Sequence, residues 1–320
     1  MNNNLNGDSS MAIMNPGPIA YFEGAYVPVE EAKISVMTHA FNYGTGIFEG
    51  IRGYYTPDED NVLVFRLTEH VDRMMRNSSV MCMEIPEDRA TIEGICLELV
   101  RRSRFKEGVY LRPIIYKSDL SLGPTVKGVT SRLCCYLIKL GEYCDITSGL
   151  NVAVTSWRRL SDNAIPTRLK STGSYINSSL AASEAKMAGF DEAIFLREDG
   201  SVAEGSAMNL FIIHQGQLIT TPVSSDILVG ITRNTILQLA RETLHLDVVE
   251  RPIARTELYV CDEMFFTGTG AQVAPVRSVD RRVLGEGRPG PVTLQLQSLY
   301  FDVVQGKVPE YRHWCTPAYK

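Results

Sequence analysis

The sequence predicts an α+β protein of two domains, and three observations carry that prediction. Its 320 residues are too many for one ordinary domain and suit two of medium size. The first 140 or so residues mix strand-like and helix-like apolar patterns, and the remainder is strand-rich. Between them, residues 141–149 run from Gly141 to Gly149 without a clear period and read as a connection. The expected layout is an extension at 1–17, a small α+β domain at 18–140, a linker at 141–149 and a larger domain at 150–320.

The elements follow in order. Residues 1–17 are Asn-rich, with no large apolar residue before Met11 apart from Leu5 and Met1, and are expected to be disordered. Residues 19–22 and 25–29 read as strands around a Glu23–Gly24 turn, and 62–65 as another. Thr68 is placed to cap a helix whose apolar face is Val71, Met74, Met75 and Met81. Pro86 and Asp88 open a second helix carrying Ile92, Ile95, Leu99 and Val100, and strands are expected at 110–116 and 133–138. In the second half, 152–156 reads as a strand and 175–188 as a helix stopped by Gly189. Strands at 193–196, 210–214 and 217–220 are separated by turns at Asp199–Gly200 and Gln215–Gly216. A helix spans about 232–244, strands 264–267 and 273–279 follow, and Pro291 starts a last helix that stops at Gly306. No internal repeat or low-complexity tract occurs.

Composition excludes several function classes. Hydrophobic residues make up 44% and charged residues 22%, as in soluble globular proteins, and no apolar run approaches membrane-helix length. No secretion signal is read at the N-terminus. A net charge of −5 and a pI near 5.7 argue against a dedicated nucleic-acid binder. Seven cysteines without a C-x-x-C, and five scattered histidines, predict neither a disulfide framework nor a metal site. Reduced thiols fit a cytoplasmic location.

No G-x-x-x-x-G-K-[ST] or G-x-S-x-G motif is present, and no Rossmann G-x-G-x-x-G is read after a strand. Four local features point to chemistry. Lys170 lies between a strand and a helix start among small residues. Alone, such a lysine is usually surface charge. Desolvated, its amine can lose a proton and attack an aldehyde as a Schiff-base lysine. Glu204 ends a short strand and could keep a pyridine nitrogen protonated. Gly230-Ile231-Thr232 opens a helix, whose free N–H groups suit a phosphate, and Arg73 could add a charged fork to it. Together the four would make a pyridoxal 5'-phosphate site.

Longer segments carry a resemblance. Residues 39–52, with His39-Ala40, Tyr43-Gly44 and Phe48-Glu49-Gly50-Ile51-Arg52, resemble the H-A-x-x-Y-G-x-x-x-F-E-G-x-R signature of branched-chain aminotransferases. In the same chain order come Tyr110-Leu111-Arg112-Pro113, Lys170 with Gly173 and Tyr175, Glu204-Gly205 with Asn209, Gly230-Ile231-Thr232-Arg233, and Gly268-Thr269 with Pro275-Val276. The similarity runs from Ile19 to about Tyr300.

The resemblance implies the fold-type IV architecture of pyridoxal-phosphate enzymes, the D-amino acid aminotransferase-like fold. It has a small N-terminal α/β domain, a larger C-terminal pseudo-barrel domain, the cofactor between them, and a homodimer or higher homo-oligomer. It implies transfer of the amino group of leucine, isoleucine or valine to 2-oxoglutarate, with Lys170 as catalytic base and acid. Carried over by position, Glu204 pairs with the pyridine nitrogen and Tyr175 with the phenolic oxygen. Arg73, Ile231, Thr232 and Thr269 hold the phosphate. Tyr43, Phe48, Tyr110, Arg112 and Tyr143 line the substrate pocket, and the Gly270-Ala271 turn offers amides to a carboxylate. Leu140 stands where many relatives carry an aromatic residue, and Gly270-Ala271-Gln272 where Ala-Ala-Glu is frequent; both bear on substrate range. The rivals are a D-amino acid aminotransferase, an (R)-selective amine transaminase or aminodeoxychorismate lyase of the same fold, and a non-enzymatic small-molecule binder.

Overall fold

A computed structural model describes residues 16–142 and 144–319. Two sheets organise the chain. The first contains β1 (Ile19–Phe22), β2 (Ala25–Pro28), β3 (Gly46–Phe48), β4 (Ile51–Thr56), β5 (Asn61–Phe65), β6 (Val109–Lys117) and β7 (Ser131–Lys139). The second contains β8 (Leu150–Arg158), β9 (Glu192–Leu196), β10 (Val202–Gly205), β11 (Asn209–His214), β12 (Gln217–Thr220), β13 (Asp247–Glu250), β14 (Glu263–Gly268), β15 (Gln272–Val279) and β16 (Arg282–Val283). The last strand, β17 (Cys315–Pro317), returns to the first sheet and pairs with β5. Six helices accompany them: α1 (His39–Tyr43), α2 (Leu67–Val80), α3 (Arg89–Ser103), α4 (Tyr175–Met187), α5 (Ile231–Glu242) and α6 (Pro291–Val304).

The first sheet runs β17-β5-β4-β6-β7-β1-β2 and is antiparallel throughout, with β3 also pairing with β6. Short turns join β1 to β2 and β4 to β5; the Glu23–Gly24 turn uses two residues with positive φ. Leu67, Val71 and Met74 of α2 and Ile92, Ile95, Cys96 and Leu99 of α3 pack on one face of the sheet.

The second sheet runs β10-β9-β8-β15-β14-β11-β12-β13, with parallel pairs at β8–β9, β8–β15 and β12–β13. It curls until its ends meet: Ser201 bridges Ala254, and Val202 N donates to Ile253 O at 2.8 Å. That contact makes the pseudo-barrel, whose interior is filled by Val152, Ile194, Leu210, Ile212 and Phe266. A third core joins the sheets. Leu63 and Phe65 of the first pack with Phe211 and Phe265 of the second, and with Leu296, Tyr300 and Trp314.

Most expected elements form within a residue or two. The start of α2 differs: Arg66, at φ +50, is its N-cap, and Thr68 lies inside the first turn without capping it. Arg66 is held instead by Trp314, whose carbonyl accepts its N–H at 2.7 Å and whose ring lies 4.2 Å under its guanidinium. The expected extension lies outside the described residues except for Pro16 and Gly17, and Gly17 N donates to Leu137 O at 2.8 Å. Among the described residues, no helix is long and apolar enough to cross a membrane, and no His/Cys/Asp/Glu cluster could hold a metal.

Candidate active site

The site begins where β3 leaves the first sheet to meet the segment before α4. Ile47 bridges Ser171, Phe48 N donates to Lys170 O at 3.0 Å, and Thr172 N donates to Gly46 O at 2.8 Å. The two segments touch backbone to backbone at Gly44 and Gly173, where Gly173 N donates to Gly44 O. A Cβ on Gly44 would stand 2.8 Å from the Gly173 Cα, and Gly44 also holds φ +65. Only glycine meets both demands.

This crossing sets Lys170 at the mouth of a cavity lined also by Arg73, Arg159, Tyr175, Glu204 and Thr232. The Lys170 amine donates to Tyr175 Oη at 2.8 Å and lies 5.0 Å from the centre of the Phe48 ring. Glu204, on the short β10, is buried at 4% exposure, yet an ion pair and three hydrogen-bond contacts converge on its carboxylate. Arg159 Nη2 forms an ion pair with it at 2.8 Å, Asn209 Nδ2 donates at 2.9 Å, and Leu228 N reaches both oxygens at 3.2 and 3.3 Å. Burial pushes the Glu204 carboxyl above the ordinary range, and Arg159 is the strongest influence holding it down.

The other end of the cavity is built for an anion. Gly230 is the N-cap of α5 and has no side-chain cap, so the first-turn N–H groups of Ile231, Thr232 and Arg233 lack intrahelical partners there. Gly230 is tightly packed, since a Cβ would meet Asn209 Oδ1 at 2.1 Å. Arg73 reaches in from α2. Its Nε and Nη2 each donate at 2.7 Å to Glu49, and its Nη1 donates to Val229 O at 2.9 Å. Of a guanidinium's five N–H groups two remain free. Glu49 is fully buried and also accepts from His70 Nδ1 at 2.7 Å. Burial alone would raise its carboxyl, but Arg73 and His70 outweigh it and hold Glu49 well below the usual carboxylate range. Thr267 Oγ1, on the cavity wall, is buried without a hydrogen-bond partner. A phosphorylated pyridine fits this set: uncapped amides and a cation at one end, an amine at the middle, a carboxylate at the other.

The expected substrate side lies around Phe48 and Arg112. The Arg112 guanidinium sits 4.4 Å over the Phe48 ring and donates to Tyr110 Oη at 3.0 Å, and its Nε is buried without a partner. Phe48 in turn packs against Tyr175, 4.9 Å between ring centres. A Cβ on Gly50 would stand 1.9 Å from Tyr110 Oη, so this glycine is what admits Tyr110. Arg112 and Pro113 lie in the sheet's interior between β4, β3 and β7, although a proline within a strand usually marks an edge. Pro113 O accepts from Glu49 N at 3.0 Å, in the gap between β3 and β4, so the missing proline N–H faces a break in the ladder.

Arg52 fixes the Gly270-Ala271 turn by donating to Gly270 O at 2.9 Å and to Gly141 O at 2.7 Å. Thr269 lines the cavity beside the turn. Tyr43 sits on α1, 38% exposed, with its hydroxyl accepting from Gly123 N at 3.0 Å; neither it nor Phe48, Tyr110, Arg112, Gly270 or Ala271 is part of the wall of the cavity that holds Lys170. Tyr143 lies outside the described residues. Sequence reading missed Arg159, Glu49 as the holder of Arg73, and His70. Their only sequence signals are an Arg158-Arg159 pair shortly before Lys170 and the Glu49 of the signature itself.

Comparison with known proteins agrees with this geometry. A family model described as amino-transferase class IV matches residues 46–279. The "Probable branched-chain-amino-acid aminotransferase" of Aquifex aeolicus is 48% identical over 300 residues, 94% of this chain and 96% of that protein. The branched-chain-amino-acid aminotransferase of Pseudomonas aeruginosa is 40% identical, covering 96% of this chain and 99% of its own. Among solved structures, the branched-chain aminotransferase of Thermoproteus uzoniensis with norvaline superposes with a TM-score of 0.90 at 39% identity, over 95% of this chain and all of that one. The PLP-form of the Thermobaculum terrenum enzyme gives 0.90 at 35% identity, over 95% and 99%.

Proposed function

The chain belongs to the class IV amino-transferases, and from that premise we infer that it is a pyridoxal 5'-phosphate enzyme moving the amino group of branched-chain L-amino acids to 2-oxoglutarate. The observation that carries the reading is the single cavity shared by the Lys170 amine, the Glu204 carboxylate and the uncapped start of α5. When bound, the cofactor supplies an aldehyde carbon for the donor's amino group and a protonated ring that withdraws electrons from the substrate Cα.

The chain's residues do the rest. The first-turn N–H groups of Ile231 and Thr232, Thr269 and the free N–H groups of Arg73 bind the phosphate. Glu49 and His70 hold Arg73 in place by three short hydrogen bonds. Glu204 keeps a proton on the ring nitrogen, and Arg159 and Asn209 orient it. Tyr175 Oη, hydrogen-bonded to Lys170 Nζ, orients that amine and bonds the phenolic oxygen. Lys170 Nζ takes the proton from the substrate Cα and returns it on the cofactor side, as general base and then acid. Phe48 and Tyr110 give an apolar wall for leucine-like side chains. Arg112 receives the side-chain carboxylate of glutamate or 2-oxoglutarate, and the Gly270-Ala271 turn receives the α-carboxylate.

The division at 18–140 and 150–320 belongs to the same proposal, and so does a homodimer at least. Val36, Met37, Phe41 and Leu122 are exposed apolar residues on two segments joined by His39 N to Asp119 O and by Tyr43 to Gly123. A second copy would cover them. All seven cysteines are free, which supports a reducing, cytoplasmic location. The deciding experiment is a donor panel with 2-oxoglutarate: L-leucine, D-alanine and an (R)-arylamine. L-leucine should be fastest by kcat/KM, and a preference for either of the others would replace this assignment.

A further inference from the structure

β15 begins just after Thr269, which lines the Lys170 cavity, and ends at a second cleft of about 340 Å³ that shares no lining residue with the first. Small-molecule sites occupy roughly 300–1,000 Å³, so the cleft suits a small ligand. Phe190 and Val283 supply an apolar wall, and Arg277, Arg281, Asn151 and Ser278 a polar one; among the described residues no carboxylate lines it. Arg277 is half-buried and held by one nitrogen. Its Nε donates to Asn151 Oδ1 at 3.1 Å, and Ser278 Oγ fixes that same oxygen at 2.7 Å. The other four of its five N–H groups meet no acceptor among the described residues. Arg281 is exposed, with its guanidinium 5.6 Å from the centre of the Phe190 ring. The carboxylates adjoining the cleft in sequence are engaged elsewhere. Asp191 accepts from Asn151 N at 2.7 Å, Asp280 from Val154 N and Tyr259 Oη, and Glu286 pairs with Arg288. Two cations therefore stand uncompensated side by side in a chain whose net charge is −5.

The backbone adds an independent observation. Val279 pairs with Arg282, so Asp280 and Arg281 form a two-residue hairpin turn, and both hold positive φ, at +47 and +63. Such a turn favours Asn or Asp at its first position and Gly at its second. Asp280 meets the rule, and its carboxylate ties the turn to β8 and to Tyr259. Arg281 breaks it. A side chain in the left-handed region is strained, and among the described residues no ion pair of Arg281 repays that strain. A strained residue without a structural return is a mark of a binding site.

We propose that this cleft is a second ligand site, which binds a small organic carboxylate with an apolar body. Arg277 and Arg281 receive the carboxylate oxygens, and Phe190 and Val283 cover the body. Guanidinium groups suit the anion because each presents paired donors that match the two oxygens. A bare inorganic anion would leave the apolar wall uncovered.

The site does not depend on what the Lys170 cavity takes, and its test reads the cleft alone. The full-length protein is labelled with phenylglyoxal, and the rate at each arginine is followed by peptide mass spectrometry. The probes are benzoate, its neutral isostere benzamide, and inorganic phosphate. Arg282, exposed on the same hairpin with its guanidinium over Tyr259, is the internal reference. At about ten times its dissociation constant, benzoate should slow labelling of Arg277 and Arg281 by about tenfold, because only the unoccupied fraction reacts. It should leave Arg282 unchanged, and benzamide should protect neither arginine. Equal rates with and without benzoate, or equal slowing at Arg282, overturn the site. Protection by phosphate as strong as that by benzoate overturns the apolar body. Arg281→Gly supplies the second test. It should raise the melting temperature by about 1–2 °C, since glycine takes the positive φ without strain, and it should remove the protection of Arg277. A lower melting temperature would show that Arg281 serves the fold, and undiminished protection of Arg277 would show that the second guanidinium takes no part; either result overturns the proposal.

Discussion

Arg159 offers the sharpest test of the proposed site, because its ion pair is with Glu204. Its Nη2 lies 2.8 Å from Glu204 Oε1 in an ion pair, the side chains are 8% and 5% exposed, and its Nε donates to Asp226 O at 3.2 Å. Arg159→Met keeps most of the apolar stem against Phe195 and removes the charge. Removing one partner of a buried pair costs on the order of 3–5 kcal/mol when the other stays charged. Here Asn209 and Leu228 still donate to the carboxylate, so the low end applies, about 3 kcal/mol. Glu204 can escape that cost by taking up a proton, because burial already pushes its carboxyl upward and Arg159 no longer opposes it. A protonated Glu204 cannot balance a protonated ring nitrogen, so the site loses about as much as the carboxylate did, roughly a hundredfold in kcat near neutral pH. The sign follows from the direction of the shift. Glu204 is protonated on the acid side of its raised pKa and ionised above it, so activity should recover as pH rises. The assay is kcat and KM for L-leucine across pH 6 to 9.5 on the native, Arg159→Met and Arg159→Lys enzymes, with calorimetry on each. Arg159→Met should melt roughly 5–10 °C lower, and Arg159→Lys should retain activity at neutral pH. A loss that is the same at every pH would refute the argument, because a merely structural arginine would produce that result.

Other expectations concern single contacts. Lys170→Ala should abolish turnover while the chain still takes up pyridoxal phosphate by its phosphate end; measurable transamination in that variant would remove Lys170 from the chemistry. Glu204→Gln should bind cofactor yet lose activity mainly in kcat; a native kcat would show that the carboxylate faces something else. Arg112→Met should raise KM for glutamate and 2-oxoglutarate far more than for leucine, and half-reaction rates with each amino acid separate this from an α-carboxylate role, in which all suffer alike. Gly50→Ala should displace Tyr110, whose hydroxyl occupies the position of the new Cβ, and raise KM similarly for the acidic substrates. Burial pushes the His70 imidazole below its ordinary 6.5. Its contribution to stability is therefore present above that pH and lost as pH falls, because the unfolded chain takes up the proton first. His70→Gln, which can still donate to Glu49, should flatten the fall in melting temperature between about pH 7 and 5; an unchanged slope would place the acid sensitivity elsewhere.

Much of the fold was legible because local patterns and tertiary demands agree along most of the chain. Asp88 does cap α3, accepting from Thr91 N at 2.8 Å, and the periodic apolar residues Ile92, Ile95 and Leu99 are the buried ones. Where the reading failed, a long-range contact overrode a local one. Thr68 has the right chemistry for a cap, yet the helix begins earlier because Trp314, almost 250 positions away, holds Arg66 in a left-handed conformation. The strands β3 and β4 were missed because glycines interrupt the segment that carries them and leave no strand period. Its glycines serve close approach: Gly44 meets Gly173 and Gly50 meets Tyr110. The return of β17 to β5 has no local signal, since a three-residue strand carries almost no periodicity.

The site divides along the same line. Lys170, Glu204 and Thr232 could be named because each has a reactive or binding group whose chemistry makes sense one residue at a time; Tyr175 came only with the resemblance. Arg159, Glu49 and His70 could not, because their roles exist only in pairs, and nothing local tells an arginine that pairs with a buried carboxylate from one that meets water. Arg73 shows the difference most clearly. Sequence reading made it a free phosphate ligand, whereas three of its N–H groups are committed to Glu49 and Val229. That commitment is what makes it useful. A long side chain loses roughly 2 kcal/mol of rotamer freedom when it is fixed, and Arg73 has already lost it before any phosphate arrives. In the proposed function the signature glutamate therefore serves the phosphate site at one remove. Glu49→Gln should weaken pyridoxal phosphate while leaving pyridoxal binding intact, and Glu49→Gln combined with Arg73→Gln should be no worse than Arg73→Gln alone. Independent losses in that double variant would mean that Glu49 serves the fold and not the phosphate.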